Sequence, residues 1–86
     1  MWFVRLVKMR KAPKMEEAEA MNKMMMDAAK KMAIKIHRGF MTLGQYDSVR
    51  ITEADEVSGP MKMAMKEMDS TSETLVATSY EDAMKI

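Results

Sequence analysis

The sequence predicts a single α+β domain with the element order βαββαβ. Alternation of apolar and polar residues marks the strands, helical spacing of apolar residues marks two helices, and a glycine turn joins the middle strands. All 86 residues are assigned to one domain, because the chain has neither an internal repeat nor a low-complexity linker. A chain of this length buries roughly 60 to 65% of its unfolded surface, so we expect a thin core completed by a partner subunit.

The first third of the chain predicts a strand followed by a long helix. Residues 2–9 are rich in β-formers on both faces, which is typical of a central strand covered on both sides. Pro13 is expected to open the helix, with acidic residues in its first turn and Lys30 and Lys31 near its end, where the helix dipole favours each charge. The apolar stripe of this helix comprises Met15, Ala18, Met21 or Asn22, Met25, Ala28 or Ala29, and Met32.

A β-hairpin is predicted in the middle of the chain. Gly44 supplies the positive φ that a tight reversal requires. A two-residue loop that begins at Gly44 places Phe40 opposite Val49 and Met41 opposite Ser48, which collects apolar side chains on one face. A three-residue loop would instead place Phe40 opposite Ser48, so we prefer the first register.

The last third predicts a short helix and a final strand. Ser58 as a cap and Pro60 in the first turn indicate a helix that runs to about Met68. Its apolar stripe comprises Met61, Met65 and Met68. The final strand is expected near residues 73–79, which leaves residues 80–86 as a short tail, with a helical turn as an alternative.

The turn carries the most recognisable segment of the sequence. Residues 40–47 read FMTLGQYD, in which Gln45 separates Gly44 from the Tyr46-Asp47 pair. Glu-Ala-Asp follows at residues 53–55, and SETLVAT stands at residues 72–78. These segments resemble the GYD domain family, whose small members are named for a Gly-Tyr-Asp signature. The likeness runs from about residue 15 to 77, with Met-Asp-Ser-Thr at residues 68–71 where family members usually carry a second glycine-containing stretch.

This resemblance implies a fold and a mode of assembly. The family is similar to the ferredoxin-like, dimeric α+β barrel group, so the resemblance implies a four-stranded antiparallel sheet with two helices on one face. In barrel-forming relatives the other face meets a partner sheet. Relatives in that group include cofactor-free monooxygenases and ligand-sensing domains, so membership by itself implies no particular reaction.

The preferred register predicts one polar and basic sheet face. This face contains Lys35, His37, Met41, Ser48, Arg50 and Thr52. If Phe40 and Val49 face the helices, His37 and Arg50 line a cavity between subunits, where charge-assisted hydrogen bonds hold a small anionic ligand. We prefer solvent exposure of this face, or ion pairing across subunits with Glu53, Asp55 or Glu73, because a satisfied polar interface needs no ligand.

Tyr46 and Asp47 are candidates for proton transfer, since both side-chain types serve as general acids or bases. We prefer a structural role, in which Asp47 accepts hydrogen bonds from turn amides and Tyr46 covers the hairpin end with its hydroxyl in water. No catalytic residue is assigned, because the sequence has no supported Ser-His-Asp arrangement and no phosphate-binding glycine loop.

Fourteen methionines are the oddest feature of the composition. Clusters such as residues 24–26 are similar to thioether-rich tracts that bind Cu(I). We prefer methionine as a substitute for leucine in an adaptable core or interface, because it is a flexible filler and no cysteine adds a thiolate ligand. Met24, Met26 and Met63 fall outside the stripes and are assigned to solvent or a partner. No metal and no cofactor is therefore predicted.

Composition narrows the classes of function. Fourteen basic and thirteen acidic residues give a net charge of +1, which provides no sequence-wide attraction for nucleic acid or an anionic membrane. The N-terminal apolar run, interrupted by Arg5 and Lys8, matches neither a signal peptide nor a membrane span, so a cytoplasmic location is the default.

We predict a small noncatalytic assembly or accessory domain that forms a homodimer or higher homo-oligomer through its sheet. The first alternative is a domain that binds or senses a small anionic ligand through His37, Arg50, Tyr46 and Asp47. A cofactor-free enzyme is third, since it would require such residues to converge on one cavity.

Overall fold

The computed structural model describes residues 1–11, 14–65 and 70–85. Its strands are β1 (Trp2–Met9), β2 (Lys35–Met41), β3 (Ser48–Glu53) and β4 (Ser70–Ala77), and its helices are α1 (Met15–Lys31), α2 (Ser58–Met65) and α3 (Tyr80–Met84). The strands form one antiparallel sheet in the order β2-β3-β1-β4. The predicted βαββαβ order and the ferredoxin-like α+β class are confirmed. The tail forms the helical turn that was given as an alternative, α3.

The alternating side chains of β1 show which face of the sheet is buried. Phe3, Arg5 and Val7 are buried, whereas the apolar side chains between them are half-buried. Phe3 forms a core cluster with Ala29 of α1, and Met63 of α2 packs against that cluster. Helices α1 and α2 therefore both lie on the face of the sheet that carries Phe3. We call this the helix-covered face, and we call the opposite side the open face.

The core under the helices is small. Among the described residues, the buried hydrophobic side chains are those of Phe3, Val7, Ala29, Ile34 and Ala54. Two of these five are alanines, so few large groups fill the space between helices and sheet. Burial of apolar area is the main favourable term in folding, and a core of this kind supplies little of it.

Helix α1 is well defined at both ends. The Glu17 carboxylate accepts the backbone N–H of Lys14 at 3.3 Å, which satisfies one free donor of the first turn. At the other end Ala33 has φ 56°, and Ile34 N–H donates to the Ala29 carbonyl at 2.9 Å. This is a Schellman ending, in which a left-handed residue closes the helix. Pro13, the predicted first helical residue, lies outside the described residues.

The predicted stripe of α1 contacts the core only in its C-terminal half. Met25 and Met32 are half-buried and Ala29 is buried, whereas Met15 is 77% exposed and Met21 is 45% exposed. Helix α1 contacts β2 and α2. The residues that these contacts bury belong to the last turns, so the expected burial of Met15 and Met21 was wrong.

The predicted stripe of α2 was also wrong. Met61 and Met65 are 58% and 82% exposed, whereas Met63 packs against the core. Pro60 is buried at the start of the helix, and the positions three and four residues later, Met63 and Ala64, turn to the same side. The predicted position of Met68 lies outside the described residues.

Strand β4 begins earlier than predicted. It starts at Ser70 and ends at Ala77, against the expected residues 73–79. Its first residues are polar, so apolar alternation does not mark them, yet they pair with the end of β1. The end of the strand is set by Ser79, whose Oγ accepts the Asp82 N–H at 3.1 Å and caps α3.

Candidate functional site on the open face of the sheet

The β2–β3 hairpin has the preferred register and one irregularity. Phe40 lies opposite Val49 and Met41 opposite Ser48, as predicted. Nearer the start of β2 the register shifts by one residue, between Ile36 and Arg38. This shift is a β-bulge, in which two residues of one strand oppose a single residue of the other.

The bulge changes which side chains share a face. Ile36 lies opposite Thr52, which is buried, whereas His37 and Arg38 together occupy the place opposite Ile51. Arg38 therefore lies on the open face, although strict alternation from Ile36 would place it under the helices. The prediction that Lys35 and Met41 share one face was wrong for this reason, because Lys35 lies in the row of Trp2 and Met41 in the row of Val7.

The predicted polar face is divided between the two sides of the sheet. Phe40 and Val49 lie on the open face, because Val49 pairs with Leu6, which alternates with the buried residues of β1. Arg50 lies on the helix-covered face, opposite the buried Arg5. His37 contacts open-face side chains, so His37 and Arg50 do not line a common cavity.

The open face carries three rows of side chains across the four strands. In the order β2, β3, β1, β4 they are Lys35, Glu53, Trp2 and Ala77; Arg38, Ile51, Val4 and Leu75; and Phe40, Val49, Leu6 and Glu73. Its centre is apolar, and its polar groups lie mainly at the two edges. Phe40 and Leu75 are each 49% exposed. Neither α1 nor α2 covers this face in the part of the chain that the structure describes.

His37 forms a cluster at one end of the open face. Its Nε2 lies 2.9 Å from Glu53 Oε1, and its ring centroid lies 4.6 Å from that of Trp2. The N-terminal ammonium group closes the same end, where it donates to the Ala54 carbonyl at 2.8 Å. The preferred prediction for His37 was solvent exposure or pairing with a carboxylate of another subunit; His37 is exposed, and its Glu53 partner belongs to the same chain.

Asp47 attaches the hairpin to β1. Its Oδ2 accepts the Met9 backbone N–H at 2.6 Å, and its own N–H donates to the Val7 carbonyl at 2.8 Å. Thr42 N–H donates to the Asp47 carbonyl at 2.9 Å, and Gly44 has φ 108°. Asp47 therefore binds an amide of a neighbouring strand, whereas the sequence predicted an amide of its own turn.

Tyr46 reaches across the open face to β4. Hydrogen bonding with the Glu73 carboxylate, followed by some desolvation and the charge of that carboxylate, raises the pKa of Tyr46 above its usual value. Glu73 pairs with Leu6 of β1, so the Tyr46 side chain spans from the hairpin loop past β1. The sequence predicted a hydroxyl in water and gave no signal for this contact.

The four predicted ligand-binding residues therefore lie in three places. Tyr46 and Asp47 lie at one end of the open face, and His37 lies near the other end. The two ends are about 13 Å apart, which is the length of strand from Leu6 to Trp2. Arg50 lies beneath the helices.

The space around Arg50 is small. A cavity of about 10 Å³ there is lined mainly by Arg5, Arg50, Thr52, Thr74 and apolar side chains, which is room for about one water molecule. Both arginines take part in further interactions.

These observations define the class of the protein: a small ferredoxin-like α+β domain with an uncovered sheet face that is apolar at its centre. No protein-family model matches the chain, and no curated protein matches it. Among solved structures the chain is similar to the crystal structure of FFRP-DM1, with 16% identity and a TM-score of 0.56 over 91% of this chain and 100% of that chain. At this identity the likeness shows the fold alone. Within the described residues, no helix is long and apolar enough to cross a membrane.

Proposed function

We propose that this chain is a noncatalytic assembly domain whose open face packs against the open face of a second copy. One observation carries the proposal: large apolar side chains cluster on the face that the helices leave uncovered. Val4, Leu6, Val49 and Ile51 form its centre, and Leu75 continues it on the edge strand. Side chains of two aligned sheets interdigitate at a sheet separation of about 10 Å, which would bury these groups on both copies.

The distribution of large side chains between the two faces supports the same proposal. The helix-covered face contains buried Arg5 and Thr52 next to a core that is partly alanine. Much of the bulky apolar surface of β1 and β3 therefore lies on the open face. Removal of that surface from water is worth roughly 25 cal/mol per Å², so a second copy would add the burial that the monomer lacks.

The likeness to FFRP-DM1 supports the ferredoxin-like α+β fold that this proposal requires. The resemblance of residues 40–47 to the GYD signature supports the same assembly, since sheet-to-sheet contact is what that resemblance implies. We also propose membership of the GYD domain family on these residues.

Two adjacent residues of β4 provide a matched test. Leu75 faces the open side and is 49% exposed, whereas its neighbour Val76 faces the helix side and is 62% exposed. By light scattering at micromolar concentration, we expect a dimer or larger species for the parent and for Val76→Asp, and a monomer for Leu75→Asp. A monomeric parent would contradict the proposal, as would a Leu75→Asp variant that assembles like the Val76→Asp control.

Native mass spectrometry of protein purified from its source tests the ligand alternative in the same material. The assembly proposal expects an oligomer without a retained small molecule. A retained anion that is lost in His37→Ala would favour the ligand-binding alternative.

A further inference from the structure

We infer that the two copies are held in one orientation by a pair of symmetry-related ion pairs, each between Arg38 of one copy and Glu73 of the other. This inference rests on the proposed function, because it concerns the same open face and a second copy of the chain. It names the contact that determines how the two sheets are oriented.

The first observation is the opposite charge of the two edges of the open face. Strand β2 contributes Lys35, His37 and Arg38 to one edge, and β4 contributes Glu73 to the other. The strands between them contribute mostly apolar side chains. Glu53, on β3, already contacts His37 at 2.9 Å within the chain. Glu73 is therefore the open-face carboxylate at the edge opposite Arg38.

The second observation is that symmetry allows two ways of stacking the open faces. A two-fold axis parallel to the strands places β2 of one copy over β4 of the other, whereas an axis across the strands places β2 over β2. In the second arrangement basic edges meet basic edges, which like-charge repulsion disfavours. In the first arrangement each basic edge meets an acidic edge, and symmetry repeats the contact.

The third observation is that Arg38 is within reach of Glu73 in the favoured arrangement. Arg38 belongs to the row that ends at Leu75 of β4. With β2 over β4, Arg38 of one copy lies over Leu75 of the other, and Glu73 is two residues further along the strand, about 7 Å away. An extended arginine side chain and a glutamate side chain together span this offset and the sheet separation of about 10 Å. In the part of the chain that the structure describes, Arg38 forms no ion pair of its own.

The fourth observation is that the Tyr46 phenol lies beside the Glu73 carboxylate. Hydrogen bonding to this carboxylate is the main cause that raises the pKa of Tyr46. A carboxylate has several lone-pair sites, so it accepts this bond and binds a guanidinium group at the same time. Tyr46 is therefore a positioning residue, and the hairpin signature contributes to assembly through it.

A charge-reversal cycle tests the pairing. The dissociation constant of the dimer is measured by sedimentation equilibrium for the parent, Arg38→Glu, Glu73→Arg and the double variant. Each single reversal is expected to weaken the dimer roughly 10-fold to 100-fold, because it creates two like-charge contacts, and the double variant is expected to recover most of the loss. Lys30→Glu, in the last turn of α1, is the control and is expected to match the parent. Circular dichroism checks the fold of each variant.

Tyr46→Phe provides a second measurement that does not reverse a charge. It is expected to weaken the dimer less than Glu73→Arg does, while the dimer still weakens with added salt.

The outcomes separate the inference from the proposed function. A dimeric parent with unchanged affinity in Arg38→Glu, or a double variant weaker than both single variants, overturns the ion pair and leaves assembly through the open face intact. A monomeric parent overturns the assembly itself and the ion pair with it.

Discussion

Asp47 connects the hairpin to β1 through hydrogen bonds, and the loss in free energy of unfolding on its removal can be estimated. In Asp47→Ala the Met9 N–H loses a carboxylate acceptor at 2.6 Å. A hydrogen bond to a charged group contributes about 1.5 to 3 kcal/mol, and solvent exposure of this pair lowers the expected loss to about 1 to 1.5 kcal/mol. For a domain of this size each kcal/mol lowers Tm by about 4 to 8 °C, so a fall of about 4 to 12 °C is expected.

Urea denaturation followed by Trp2 fluorescence measures this loss. All variants are compared at one protein concentration, because assembly couples apparent stability to concentration. Asp47→Asn keeps a carbonyl acceptor and is expected to lose less than Asp47→Ala. Asp55→Ala removes another exposed carboxylate beyond β3 and is expected to stay within about 0.5 kcal/mol of the parent. If Asp47→Ala is as stable as Asp55→Ala, the attachment of the hairpin through this carboxylate is refuted.

Three further substitutions have expected outcomes in the same denaturation assay. Phe3→Ala is expected to lower the free energy of unfolding by about 3 to 5 kcal/mol, because Phe3 is 1% exposed in the core. Phe40→Ala is expected to lower it by less than half as much, because Phe40 is 49% exposed. Equal losses would contradict the assignment of the two residues to different faces. Ala33→Gly is expected to raise the free energy of unfolding by about 0.5 to 1 kcal/mol, since glycine relieves the left-handed strain at φ 56°, and a loss would contradict this. The raised pKa of Tyr46 favours the neutral phenol in the folded state, so its contribution is complete below pH 10.0 and is lost as pH rises through the folded pKa. The parent should therefore lose stability above pH 10.0 more steeply than Tyr46→Phe, and equal pH slopes would exclude the Glu73 contact.

Local rules were sufficient for much of the fold. The register of Phe40 with Val49 followed from matching apolar faces around a glycine turn, and the observed pairing agrees with it. The central position of β1 followed from apolar side chains on both of its faces. Each property depends on residues that lie close together in the sequence, so both could be predicted from the sequence alone.

Features that depend on contacts between distant segments could not be predicted in the same way. Strict alternation has no signal for the extra residue at His37, so the faces of Arg38 and Phe40 relative to Ile36 were inverted. The side of α2 that meets the sheet depended on the burial of Pro60, which periodicity does not reveal. The Tyr46 contact with Glu73 joins segments that only the folded sheet brings together.

The β-bulge at His37 also determines where the length of this chain can vary. Strand β2 is an edge strand, so an extra residue disturbs only its ladder with β3. Without His37, a regular ladder would still place Ile36 opposite Thr52 and Arg38 opposite Ile51. Removal of this one residue therefore leaves the faces of Ile36 and Arg38 unchanged. The pairing of β2 with β3 does not require His37, so its imidazole beside Trp2 and Glu53 can be changed without loss of the register.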